Sequence, residues 1–373
     1  LSRIIIAAQN ALGAGARVIG HALLPELCRQ LSAERVRVLL PDTPEYRALD
    51  VADAEPVYFP IQRAGVGNDL ARLWQLYARL PHEISALRAD TCFTLADLGP
   101  VKLPCRHVIF LHQPLLVYAE HELGGRGGWS PPKRRFMLDH FRRSARRADC
   151  VVVQTHVMAE RVEKHHGVSS DKIAVLPLPA PWTAEAAHAP QSMATSPAQC
   201  KLLFLAQYYP HKNHSILPAV CHHLRSRGLG ERVCFFLTLN DETCRERARR
   251  LEMECSGMVI NLGTLPRAAV YPSLRQASAL FLPTLVESYG LPYLEAMRSN
   301  TPILTSNRDF AHGMCGGLAH YFEPLDPCSI ADAIERFVRS KAPRLDSKAV
   351  AERFKSLPSD WSMVAASFAQ RLR

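Results

Sequence analysis

Short apolar runs alternate with longer amphipathic stretches, and the alternation runs through the chain twice. Strand-then-helix repetition requires crossover connections, so the pattern specifies parallel sheets covered by helices. In the first half, strands are expected at Arg3–Ala8, Arg35–Leu40, Pro56–Pro60, Asp90–Leu95, His107–Leu111, Cys150–Thr155 and Lys172–Leu176. Helical stretches such as Arg17–Leu31, Asp69–Leu80 and Pro132–Arg147 fall between them. The pattern lapses over Ala180–Gln199, rich in Ala, Pro and Ser, which reads as a linker. It then restarts, with strands at Lys201–Ala206, Arg232–Leu237, Val259–Leu262, Ala279–Leu282, Pro302–Ser306 and His320–Phe322. Helices are expected there at Asn213–Ser226, Asp241–Cys255, Arg267–Gln276, Pro292–Ser299 and Pro327–Arg339, with a last one at Trp361–Leu372.

The expected organisation is therefore an α/β chain of two Rossmann-like domains. The first covers residues 1–180, the linker 181–199, the second domain 200–356, and a terminal helix 357–373. A length of 373 residues gives each half enough chain for its own core. In open parallel sheets, ligands bind outside the carboxyl ends of the strands, so chemistry is sought in the turns that follow them.

Composition narrows the function classes. Hydrophobic residues make up 47%, and no run approaches the roughly 20 apolar residues of a membrane span. Ile4–Ala8 is too short for a secretory core and reads as a buried strand. The 45 Lys and Arg against 35 Asp and Glu give a net charge of +10, which favours anionic partners without choosing among them. Eleven cysteines include no CxxC pair, which points to reduced thiols of a cytosolic chain and against structural zinc.

Five constellations could carry chemistry. Thr284–Glu295 follows a buried strand and leads into a helix near Pro292. The amides of Gly290 and Leu291 then sit at a helix start, where the dipole favours phosphate. Glu287 and Glu295, placed in the loop and the first helical turn, suit sugar hydroxyls rather than phosphate. A structural reading, in which the glutamates merely complement the helix, is equally open. Gln207-Tyr-Tyr-Pro-His-Lys212 opens the second domain and puts a compact cation before a helix. Gly13-Ala14-Gly15-Ala16-Arg17 follows the first strand, but Val18 takes the third glycine's place in a dinucleotide fingerprint. His112 stands directly after a strand and could face a ligand or serve the core. Finally, Pro132–Arg147 is strongly basic, with Leu138, Phe141, Ala145 and Ala148 at helical spacing. Its basic face is either merely solvated or meets an anionic membrane surface. Nucleic acid is not expected, because no aromatic platform or reader motif accompanies it.

Together these motifs resemble the retaining nucleotide-sugar glycosyltransferases of family four (group 1), which have the GT-B fold of two Rossmann-like domains about a cleft. Glu287 and Glu295 match that family's paired glutamates, and Ser288-Tyr289-Gly290-Leu291-Pro292 matches the run between them. Leu262-Gly263-Thr264-Leu265 resembles its base-binding loop, and Thr301–Ser306 the strand after the paired-glutamate helix. The resemblance covers about residues 200–340 well and the first half in outline.

The resemblance implies roles. Lys212 would neutralise the donor diphosphate, with the Gly290 and Leu291 amides. Gln207 stands where the family usually has an Arg, which leaves one phosphate contact open. Glu295 would bind the ribose, Glu287 the transferred sugar, and Gly263 and Leu265 the base. Ser288 and Tyr289, in the run between the two glutamates, would also bind the donor. His112 would lie near the sugar, and Gly13, Ala14, Gly15 and Arg17 near acceptor and phosphate. No metal-binding Asp-x-Asp is seen, so neither a metal nor another cofactor is expected. The implied reaction moves a hexose or deoxyhexose, with mannose from GDP-mannose as one candidate, to a lipid-linked glycan of surface polysaccharide such as lipopolysaccharide or O-antigen. The alternative is a sugar-nucleotide epimerase of the same fold. The expected setting is the cytoplasm, with peripheral contact at the inner membrane face through Pro132–Arg147.

Overall fold

A computed structural model describes residues 2–60, 73–95, 97–180, 188–340 and 344–373. The chain forms two compact units, one of Leu1–Val117, Trp129–Pro179 and Pro358–Arg373, the other of Tyr118–Gly128 and Ala180–Leu357. The first unit thus takes in the C-terminal stretch, and the second takes in Tyr118–Gly128. Tyr118–Gly128 leaves the first half of the sequence and is held by the second unit, where the Tyr118 hydroxyl donates to Asp309 at 3.2 Å and Arg126 to Asn213 at 2.8 Å.

In the first unit, strands β1 (Arg3–Ala7), β2 (Arg35–Pro41), β3 (Glu55–Phe59), β4 (Thr91–Thr94), β5 (Arg106–Phe110), β6 (Cys150–Val153) and β7 (Ile173–Val175) make one parallel sheet. Their order is β3-β2-β1-β4-β5-β6-β7. Ile4, Ile5 and Ile6 are all fully buried, as a parallel strand covered on both faces requires. Helices α1 (Ala14–Gln30), α2 (Leu80–Leu87), α3 (Pro131–Arg147) and α4 (His156–His166) belong to this unit. The C-terminal helix Trp361–Leu372 also packs here, on α1. Its buried Phe368 meets the rings of Phe93 and Phe110, each at 5.1 Å.

The second unit has β8 (Cys200–Phe204), β9 (Val233–Leu237), β10 (Val259–Asn261), β11 (Ala279–Leu282), β12 (Ile303–Ser306) and β13 (Ala319–Phe322), parallel and ordered β10-β9-β8-β11-β12-β13. That is the order of a Rossmann fold. Helices α5 (Leu217–Ser226), α6 (Asp241–Glu254), α7 (Arg267–Gln276), α8 (Leu291–Arg298), α9 (Asp309–Cys315), α10 (Pro327–Ser340) and α11 (Ser347–Lys355) complete it. Phe281 on β11 centres the core, with Phe204, Phe235 and Phe322 around it.

Every strand expected from the sequence forms, with ends shifted by a residue or two. Helices differ more. Residues 69–72 of the helix expected over Asp69–Leu80 lie outside the described residues, and the helical stretch 73–87 widens at Gln75–Arg79. The helix expected from Asn213 begins only at Leu217, because Asn213 takes a left-handed φ of 67° that no helix interior accepts. In the linker, 181–187 lies outside the described residues and Gln191–Thr195 forms a short helix.

Candidate functional site

The strand order of the second unit reverses between β8 and β11, and the loops that leave these two strands carry the strongest sequence candidates. The backbone ties them together: Leu285 N–H donates to the His211 carbonyl at 2.8 Å. At this junction the Lys212 ammonium pairs with the Glu287 carboxylate. Their side chains are 18% and 12% exposed, so the pair is largely withdrawn from water but keeps an exposed edge. Burial pushes the flanking His211 and His214 imidazoles down to about 3, so both are neutral at pH 7 and Lys212 carries the charge of this loop. Asn213 fixes the turn behind Lys212. Its amide donates to the carbonyls of Pro283 at 3.1 Å and Pro324 at 2.7 Å.

Gly290 ends the β11 loop with φ of 79° and caps α8. A Cβ there would stand 2.5 Å from the Tyr293 ring, so glycine is required twice over, by conformation and by space. The Tyr293 hydroxyl pairs with Thr305 at 2.7 Å and fixes that ring. Leu291 opens α8, whose first turn carries no acidic residue. Glu295 therefore lies in the second turn, a correction to the sequence expectation: the αL residue at Gly290 starts the helix at Leu291. Ser288 is half-buried and Tyr289 buried in the same loop.

Glu295 is 2% exposed, and Arg267 donates to it at 2.7 Å. Burial pushes the Glu295 carboxyl up, and the Arg267 guanidinium opposes that shift. Arg267 is the first residue of α7, reached from β10 through Gly263, with φ of 72°, and the half-buried Leu265. The sequence reading missed Arg267. A cation at a helix start opposes the macrodipole, and that is a legible hint of a carboxylate partner. Gln207 is exposed near the start of the β8 loop.

In the first unit the order reverses between β1 and β4. The β1 loop leads to Gly13, which caps α1, and Ala14 begins that helix. Neither Gly13 nor Gly15 has an atom within 4 Å of where a Cβ would project, so both leave open space at a helix start. The Tyr46 hydroxyl pins this loop through the Ala11 carbonyl at 2.6 Å. Arg17 is exposed, 3.8 Å from Glu45. His112 follows β5 and is organised by Asp97, which the sequence reading also missed. One Asp97 oxygen accepts the backbone N–H groups of His112 at 2.7 Å and Gln113 at 2.9 Å, and lies 3.3 Å from His112 Nδ1. Burial pushes the Asp97 carboxyl up, against the pull of His112 and the two amides. The structure thus brings Lys212 to Glu287, Glu295 to Arg267, and His112 to Asp97. Among the described residues no cluster of His, Cys, Asp and Glu could hold a metal ion.

Two Rossmann-like domains with these loops are the architecture of the GT-B glycosyltransferases. Solved structures agree at the level of fold: sucrose-phosphate synthase from Thermosynechococcus elongatus, 15% identical, superposes with a TM-score of 0.70 over 100% of this chain and 98% of that one. HepE from Anabaena, solved with UDP and glucose and 15% identical, gives 0.67 over 100% and 99%. WaaG, a glycosyltransferase involved in lipopolysaccharide biosynthesis and 16% identical, gives 0.64 over 98% and 95%. Glycosyltransferase Family 4 matches residues 23–180, and Glycosyl transferases group 1 matches residues 190–354. The chain belongs to this group 1, family 4 class of glycosyltransferases and is an enzyme that uses nucleotide sugars. By sequence, no curated protein matches it.

Proposed function

We propose that the chain is a retaining, metal-independent glycosyltransferase that moves a hexose or deoxyhexose from a nucleotide-sugar donor to a growing lipid-linked glycan. The observation that carries this reading is the Lys212–Glu287 pair at the β8/β11 junction, beside the open start of α8. A donor diphosphate takes Lys212 and the Gly290 and Leu291 amides as its counter-charges. It thereby releases Glu287 to accept hydroxyls of the sugar. Charge that develops on the leaving diphosphate meets a cation and helix amides already in place, the kind of preorganised stabilisation that lowers the barrier. Glu295, held by Arg267, receives the ribose, while Gly263 and Leu265 border the base. His112, set by Asp97, serves the sugar, and the Gly13–Arg17 helix start serves acceptor and phosphate. That HepE binds UDP and glucose supports a nucleotide-sugar donor here, and WaaG supports a lipopolysaccharide-type acceptor.

Thermal shift across a panel of UDP-, GDP- and dTDP-sugars tests the reading, followed by transfer assays with the donor that stabilises most. Stabilisation by one base class and transfer with the anomeric configuration kept is the expected result. Interconversion of the nucleotide sugar without any acceptor would assign an epimerase instead.

A further inference from the structure

Residues that precede three neighbouring strands of the first unit enclose a cleft of about 640 Å³, a volume in the range of small-molecule sites. Asp90 stands directly before β4, the stretch from Lys102 to Cys105 leads into β5, and Arg147 and Asp149 lie between the end of α3 and β6. The cleft is therefore at the amino ends of the strands, and no residue of the donor or acceptor loops lines it. His107, buried in β5, forms part of its wall. His112 follows the other end of the same strand, roughly 16 Å away along extended chain.

The charge of the lining has a definite sign. Burial pushes the His107 imidazole down to about 4, against the pull of Asp149, so it is neutral at pH 7. Burial, and then the charges of Asp149 and Asp90, push the Cys105 thiol up to about 11, so it is neutral too. Asp90 is occupied by Arg3, whose backbone N–H donates to it at 3.0 Å and whose guanidinium donates at 2.8 and 3.2 Å. Asp149 accepts the His107 backbone N–H at 2.8 Å and pairs with no cation among the described residues. On the other side of the balance, Arg106 gives one N–H to the Arg371 carbonyl and keeps the rest. Lys102 and Arg147 are exposed, and neither has a carboxylate or carbonyl partner among the described residues. Three cations thus face one unpaired carboxylate. Like charges around a concave surface repel one another and concentrate counter-ions in it. A phosphate group answers that excess. Asp149 repels phosphate, unless a hydroxyl of the same molecule donates to the carboxylate and turns the repulsion into a charge-assisted contact.

We propose that this cleft is a second ligand site, for a small phosphorylated polyol of the hexose phosphate class, with its phosphate on Lys102, Arg106 and Arg147 and a hydroxyl on Asp149. The site goes beyond the donor reading and does not depend on it. Titration calorimetry of the full chain with glucose 6-phosphate, inorganic phosphate and glucose tests it. Glucose 6-phosphate should bind roughly tenfold more tightly than inorganic phosphate, and glucose should not bind. Lys102→Gln with Arg147→Gln should weaken the sugar phosphate by about a hundredfold, about tenfold for each charge-assisted bond lost. Asp149→Asn keeps an oxygen for the His107 amide but removes both the repulsion of phosphate and the charged acceptor for the hydroxyl. It should bring glucose 6-phosphate and inorganic phosphate to similar affinities. Lys212→Gln should leave the binding unchanged, which separates this cleft from the proposed diphosphate site. Circular dichroism confirms that each variant is folded. Binding that survives the double substitution, binding that Lys212→Gln abolishes, equal affinity for both phosphates in the native chain, or no binding at millimolar concentration would each overturn the proposal. Displacement of the sugar phosphate by phosphatidylglycerol vesicles would give the cleft to a lipid headgroup and overturn it as well. A chain that binds glucose 6-phosphate here but transfers no sugar keeps this site and overturns the proposed function; one that transfers sugar but does not bind it does the reverse.

Discussion

Arg267, at the first position of one helix, donates to the carboxylate of Glu295 in the second turn of another at 2.7 Å. Glu295 is 2% exposed and Arg267 42%, so the carboxylate depends on a cation that solvent still reaches. Removing the cation leaves a buried charge without its partner, which is costly in a dry site. Solvent access to Arg267 reduces the loss to about 1–2 kcal/mol. Arg267→Ala should therefore raise the donor KM roughly tenfold with little change in kcat, since the ribose contact is remote from the reacting carbon. Arg267→Lys should recover part of it. Steady-state kinetics with the preferred donor decides; a fall in kcat at constant KM contradicts this placement.

Glu295 also sets a pH dependence. Its carboxyl is held above the ordinary range by burial, so the folded state binds its proton more tightly than the unfolded chain does. Stability from that group is full at acid pH and is lost as pH rises through the raised pKa. Glu295→Gln removes the cost of the buried charge. The variant should be more heat-stable than the parent at pH 7 to 8, with the gain vanishing as pH falls toward 4.5, while it binds donor more weakly. Paired melting curves across this range check the sign, and a gain that grows toward acid pH refutes it.

Asp97 holds the His112 turn through the backbone amides of His112 and Gln113, and the same oxygen lies 3.3 Å from His112 Nδ1. Asp97→Asn keeps an oxygen for the amides but loses the charge beside the imidazole. Orientation of a histidine by a buried carboxylate is a positioning role, so the variant should lower kcat by roughly tenfold or more with an unchanged melting temperature. Asp97→Ala should in addition destabilise the loop. Unaltered kcat in Asp97→Asn would remove His112 from the reaction.

The parallel strands were legible because each is buried on both faces and reads as an unbroken apolar run, such as Ile4–Ile6. The β11 loop was legible because Gly290 must be glycine and Leu291-Pro292 must start a helix. The partners were not. Arg267 is 28 residues from Glu295 and Asp97 is 15 from His112, and only the return of the chain to a neighbouring strand or helix brings them together. The basic helix was legible as a pattern, but not which arginines it keeps for itself. Arg146 serves the His166 carbonyl, a contact set by α4, which the sequence pattern did not single out.

Activity should survive chelation. The proposed counter-charges for the leaving diphosphate are Lys212 and the amides at the start of α8, and in the proposed complex the carboxylates nearby have other partners, Glu287 the hydroxyls of the transferred sugar and Glu295 the Arg267 guanidinium. Transfer measured after dialysis against EDTA should match the untreated enzyme. Loss of activity that magnesium or manganese restores would show that an ion bridges the diphosphate.

The sharpest prediction concerns Glu287. Its carboxylate pairs with Lys212 across the two loops that meet at the β8/β11 junction. In the proposed reaction it exchanges that partner for the hydroxyls of the transferred sugar. A charge-assisted contact to the reacting group is worth on the order of 3 kcal/mol, by analogy with lost transition-state donors, or roughly a hundredfold in kcat. Glu287→Ala should therefore lose transfer by at least that factor while keeping its fold, because the side chain, 12% exposed, serves the Lys212 pair and is no part of the apolar core. Lys212 is left without its partner in this variant. It should then hold the donor diphosphate as tightly as before or more so, since no carboxylate competes for it. The expected signature is a folded protein that still gains thermal stability from the donor yet transfers no sugar. If both donor binding and transfer disappear, Glu287 holds the loop in place; if transfer persists near the native rate, the sugar is bound elsewhere.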